Sequence, residues 1–146
     1  MLVNPLVKKT GFIQVLEIFD LKGFTPTNQH RAADEVFVVL HGQGEATLGA
    51  NGLQFKPGSV LLLHPGLSHA LRNTGSTRLD RLTTMVPEEG LARLITSGVQ
   101  DALDSVDLAM LGLELLSQSS DAAAKKNSCA DLSQAACAAK IKPRKT

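Results

Sequence analysis

Between residues 11 and 86 the chain is a succession of short apolar, β-branched stretches, each cut off by glycine, proline or asparagine. Gly11–Asp20, Glu35–Leu40, Glu45–Leu48, Leu53–Phe55, Ser59–Leu63, His69–Asn73 and Arg78–Val86 all read this way. Short strands separated by turn residues at near-regular intervals predict an all-β sandwich or barrel. A parallel α/β sheet is excluded, because each crossover needs a dozen or more residues that these gaps do not contain. Asn51-Gly52 predicts a tight hairpin turn at Ala50–Gly52, since both residues tolerate positive φ. The unbroken run Ser59–Leu63 predicts a strand covered on both faces.

The pattern changes at Pro87. Leu91, Leu94 and Ile95 recur at helical spacing, with Glu88 and Glu89 expected in the first turn, where acids suit the helix dipole. Gly98 is expected to end this helix. Asp104 or Ser105 can cap a second one that carries Leu108, Leu111 and Leu115 on one stripe. Beyond Ser117 the chain is rich in Ser, Ala and Lys, and Cys129–Ile141 can form an Ala-rich helix with a thin apolar face. The expected organisation is a β-domain over residues 1–86 and helices packed on it over residues 87–117. Residues 118–146 are expected as a basic tail, loosely attached or disordered.

Composition narrows the function classes. Aromatic residues make up 3% of the 146 and the formal net charge is +1, which argues against a nucleic-acid binder with its basic face and stacking aromatics. The positive charge lies in the tail, with six Lys/Arg against two Asp from Asp121 to Thr146; a solvated extension is the expected reading. No apolar run is long enough for a membrane-spanning helix. Residues 1–10 lack a secretory signal pattern. Cys129 and Cys137 have neither redox nor zinc-ribbon spacing and are expected as reduced thiols in a cytoplasmic protein. Phosphate-binding glycine loops, H-E-x-x-H and G-x-S-x-G are all missing.

All four histidines, His30, His41, His64 and His69, fall in the strand-rich region, and imidazole serves both metal ligation and proton transfer. The spacing around them resembles the two motifs of the cupin superfamily. Gly58, His64-Pro65-Gly66, His69 and Asn73 follow the second motif, G-x5-P-x-G-x2-H-x3-N, except that His64 stands in the proline position. Glu35 and Gly42 keep the separation of the end of the first motif, G-x5-H-x-H-x3,4-E-x6-G. The resemblance implies an all-β, cupin-type jelly-roll β-barrel with a C-terminal α-helical appendage and an internal metal.

The ligand set implied by the resemblance depends on one residue of register. A four-residue spacer makes it Asn28, His30, Glu35 and His69. A three-residue spacer puts Gln29 and Arg31 in the ligand positions, and Gly23 lies at the distance for that register. Adjacent side chains of a strand face opposite ways, so one residue decides whether His30 or Arg31 turns inward. We take the His30 register, because a buried histidine needs a partner and this pocket supplies one. Two imidazoles and a carboxylate suit non-haem Fe(II), and Mn, Ni or Zn are also accommodated. His64 is expected at the pocket mouth, as an acid/base group or as a rim residue. His41 is expected as an exposed turn residue, and Asn73 as a turn stabiliser.

Three functions remain open. The first is a metal-dependent enzyme acting on a small organic molecule, with a dioxygenase first and a lyase or isomerase next. The second is a non-catalytic small-ligand binding or sensing module. The third is a metal-free isomerase or cyclase. A homodimer is expected, with no nucleic acid or membrane partner.

Overall fold

The computed structural model describes residues 3–98, 104–110 and 139–140. A short helix α1 (Pro5–Lys8) leads into β1 (Ile13–Phe19), followed by β2 (Asp34–His41), β3 (Gly44–Leu48), β4 (Asn51–Phe55), β5 (Val60–Leu63), β6 (His69–Asn73) and β7 (Leu79–Val86). Helices α2 (Leu91–Thr96) and α3 (Ser105–Met110) and a two-residue strand β8 (Ala139–Lys140) complete the order.

The strands form two sheets, one ordered β5-β2-β7-β1-β8 and one ordered β4-β3-β6. The jelly-roll expectation therefore holds as a two-layered β-sandwich. The barrel expectation is corrected, because no ladder among the described residues closes the two sheets into a ring. Neighbouring strands are antiparallel except β8, which runs parallel to β1 through Glu17↔Ala139 and Ile18↔Lys140.

Alternation builds the interior. In β2, Glu35, Phe37 and Val39 are buried, and in β7 so are Thr83, Arg81 and Leu79. Phe37 lies opposite Thr83 and Val39 opposite Arg81, so these side chains share the inner face. Phe19, Phe37, Val39, Ala46, Phe55, Leu61, Leu63, Leu71 and Leu79 make the larger apolar cluster between the sheets. A second cluster, Ile13, Val15, Ala33, Met85 and Ala92, includes α2. That helix covers the Ile13–Met85 end of the sandwich.

Several local expectations shift. The β3–β4 turn is centred on Gly49 and Ala50, with Leu48 paired to Asn51. Gly49 supplies the positive φ of 57°, as a glycine leading a two-residue hairpin does, and Asn51-Gly52 begins β4 instead. β5 is an edge strand buried on one face only, with Val60 and Leu62 exposed. Glu88 and Glu89 precede α2, whose N-cap is Gly90; the Glu88 side chain accepts from the Ala92 N–H instead. Asp104 caps α3 by accepting from the Val106 and Asp107 N–H groups. Leu111, Leu115, Cys129 and Cys137 lie outside the described residues. Ala139–Lys140 is strand, not part of the expected helix.

Candidate metal centre

The stretch between β1 and β2 carries His30 without being a strand of either sheet. It is held against β6 by single bridges: Phe24 meets Arg72 and Asn28 meets His69. The Asn28 N–H donates to His69 O and the His69 N–H to Asn28 O, both at 2.8 Å. The Gly66 N–H donates to His30 O at 2.8 Å. This pairing settles the register. His30 is buried, whereas Gln29 and Arg31 are exposed. Gly23 has a separate requirement, since a Cβ there would meet Asp20 O at 2.9 Å.

His30, Glu35 and His69 converge. His30 Nε2 lies 2.9 Å and His69 Nε2 3.4 Å from Glu35 Oε2. One ligand atom from each residue lies within 4.8 Å of the others, and all three residues are buried. Donors bound to one cation at about 2.0–2.2 Å lie about 3–3.5 Å apart; the two separations from Glu35 Oε2 match this, and the trio could hold a divalent ion. The His69 Nδ1–H donates to Leu67 O at 3.0 Å, which leaves Nε2 as the ring atom turned to the centre.

The electrostatics match. Burial alone lifts the Glu35 carboxyl, but the His69 hydrogen bond, the Arg81 charge and His30 outweigh it and hold Glu35 below its ordinary value. Burial likewise opposes protonation of His69, yet the Glu35 hydrogen bond, the Leu67 carbonyl and the Glu35 charge raise it. In metal-free protein these shifts act in opposite directions with pH. The His69 contribution is full below about pH 6.5 and is lost as pH rises through the raised folded value. The Glu35 contribution is full above about pH 4.3 and is lost as pH falls through the lowered folded value. Thermal melts with chelator should therefore show stability falling from pH 6 towards pH 9, and Glu35→Gln should flatten that limb. Equal slopes in both proteins would show that the pair does not set it.

The other expected site residues lie apart from the trio to different degrees. Asn28 is exposed at its edge, with Nδ2 3.5 Å from His30 Nε2 and Oδ1 accepting from the Gln29 N–H. His64 stands on the surface, its side chain 70% exposed and its Nδ1 2.8 Å from Asp34 Oδ1. His41 ends β2, half-buried, with Nδ1 3.5 Å from Asp80 Oδ2. Asn73 is buried and donates to Phe19 O, Asp20 O and Thr77 O, tying the turn after β6 to the end of β1.

Glu89, expected in the first turn of a helix, instead joins the surroundings of His30. Its carboxylate accepts from the Arg31 N–H at 3.0 Å and the Ala32 N–H at 2.6 Å, with Oε2 3.8 Å from His30 Nδ1. Burial works against the charge, but these backbone N–H groups outweigh it and keep Glu89 below its ordinary value. Glu89 thus fixes the backbone just after His30. If the trio holds a metal ion, Glu89→Ala should weaken its binding by about 10–100-fold, the usual effect of losing an outer partner of a ligand. A competition titration with a chromogenic chelator checks this, and an unchanged Kd would remove Glu89 from the site. Only an acid placed to reach back across the fold signals such a role, and helix periodicity assigned Glu89 to the helix.

A cupin domain model matches residues 15–85, which include all three converging residues. Among solved structures, the fold is similar to a cupin protein from Bacteroides fragilis at 17% identity and TM-score 0.51, over 55% of this chain and 69% of that one. The Cnp3 cupin domain of Schizosaccharomyces pombe is similar at 15% identity and TM-score 0.52, over 74% and 67%. A predicted oxalate decarboxylase from Thermotoga maritima is similar at 20% identity and TM-score 0.53, over 59% and 76%. Among curated proteins none matches the chain. With the domain match added to the two-sheet fold and the Gly58–Asn73 motif, residues 15–85 of the chain form a cupin domain.

Proposed function

We propose that the protein is a metal-dependent cupin enzyme acting on a small organic molecule, with dioxygenase chemistry as the first assignment. The convergence of His30 Nε2, Glu35 Oε2 and His69 Nε2 in a buried space carries this reading. Two imidazoles and one carboxylate leave coordination positions open, the donor set of non-haem Fe(II) oxygenases, and Mn, Ni or Zn can also be held. A divalent ion in such a set polarises a substrate oxygen or activates O2. The chain's own residues prepare the space. Leu67 O fixes the His69 tautomer, Glu89 fixes the backbone after His30, and Phe37 presents an apolar wall with its ring centroid 6.3 Å from that of His69. His64 is left as a rim residue oriented by Asp34.

Elemental analysis of protein purified without added metal tests the proposal, for wild type, His30→Ala and His69→Ala. Stoichiometric Fe, Mn, Ni or Zn in wild type, lost in both variants, is the expected outcome. A wild-type protein that carries no metal and cannot be loaded would overturn it.

A further inference from the structure

Deeper in the same interior lies a second charged group that the metal reading does not use. Arg81 and Glu17 are both buried. Arg81 Nε donates to Glu17 Oε2 at 2.8 Å, and Nη2 lies 2.7 Å from the same oxygen. Thr83 Oγ1 also donates to it. Three donors thus converge on one oxygen of Glu17, while Arg81 Nη1 is buried with no hydrogen-bond partner among the described residues. A buried guanidinium N–H without an acceptor is unusual and calls for an occupant.

Position makes this orphan part of the site. Arg81 lies opposite Val39 on the inner face that also carries Glu35 and Phe37. Its Cζ sits 3.8 Å from the Phe37 ring centroid and 4.9 Å from that of Phe19. The same Phe37 ring meets His69 edge-on, and the Arg81 charge is felt at both Glu35 and His69. Phe37 is therefore the wall between the histidine–glutamate cluster and the unsatisfied arginine.

Charge balance then selects the ligand. Arg81 and Glu17 cancel. Among the buried groups, a divalent ion on neutral His30, neutral His69 and ionised Glu35 leaves one positive charge in excess, in an interior where charges must be paired. Glu89, 3.8 Å from His30 Nδ1, is exposed to solvent and held by backbone N–H groups, and it lies outside this count. A neutral ligand leaves that excess in place, a dianion overshoots it, and a monoanion removes it. A carboxylate also supplies the acceptor that Nη1 lacks, through a charge-assisted hydrogen bond.

We propose that Arg81 is the anion-binding end of this site and that its small molecule is a monocarboxylate, held with the carboxylate at Nη1 and its body along Phe37. The charge count rests on the metal reading, whereas the orphaned Nη1 does not. The test is an NMR titration of zinc-loaded and metal-free protein with propionate and with propionamide, its neutral analogue of the same shape. Propionate should shift the Arg81 Nε–H and Phe37 amide signals saturably and bind at least tenfold more tightly than propionamide. Arg81→Lys, which keeps the charge but loses the fork, should weaken propionate at least tenfold and still take up zinc. Equal binding of the two compounds, or no shift at Arg81 in either form of the protein, would overturn the proposal. That comparison uses wild type alone and stands even if the variant fails to fold. Zinc uptake is read separately from the His30 and His69 ring signals. Failure there removes the metal reading only, and propionate binding by the metal-free protein then decides on Arg81.

Discussion

Replacing Glu17 with alanine is expected to destabilise the protein by about 3–5 kcal/mol, the usual effect of leaving a buried charge without its partner. Arg81 would keep its burial and lose the carboxylate that now receives its Nε and Nη2 groups. The contacts with Phe37 and Phe19 would remain. Such contacts contribute roughly 2 kcal/mol when desolvated, too little to replace an ion pair. Removing both charges should behave differently. Glu17→Leu with Arg81→Met exchanges the pair for apolar groups, and such exchanges are often neutral or stabilising by about 1–4 kcal/mol. Urea unfolding of wild type, single and double variants reads both effects. A single variant as stable as wild type would mean that solvent reaches the pair.

Gly42→Ala is expected to have an effect of similar size by a different route. Gly42 follows β2 with φ 77°, and the left-handed backbone costs a residue with a Cβ about 1–2 kcal/mol. The added Cβ would also run into Arg78 O, with Leu79 Cα at 2.9 Å. Both obstacles are backbone and cannot swing aside, so overpacking adds about 1–3 kcal/mol more. Gly58→Ala is the control, since its φ is 85° but nothing lies within 4 Å of its Cβ. It should show the backbone cost alone. Equal losses in the two variants would mean that the contact with β7 relaxes freely.

These two sites also show what sequence reading reaches. Gly42 was visible as part of a spaced motif, because its position is set by a local turn. His69, Asn73 and Glu35 were visible for the same reason. The choice between His30 and Arg31 was not local, since it depends on Asn28 pairing with His69 across the fold. Arg81 and Glu17 were invisible: each stands among residues that read as ordinary strand, and only the β1–β7 register opposes them. The position of the β3–β4 turn is not legible in the sequence, because Gly49, rather than the more conspicuous Asn51-Gly52, takes the positive φ. The apolar run of β5 does not reveal that the strand is an edge, since that is a property of sheet order.

The three converging residues come from three separate pieces of the chain. Glu35 belongs to the five-stranded sheet, His69 to the three-stranded sheet, and His30 to the bridged stretch between β1 and β2. A cation shared by them would act as a rivet through both layers. Separation of the layers and loss of the ion would then be one event. Hydrogen exchange at the inner faces of β2 and β6 should slow together on loading, while the exposed edge strand β4 keeps its own rate. The site would thus set how often the sandwich opens, and with it how readily anything reaches the interior.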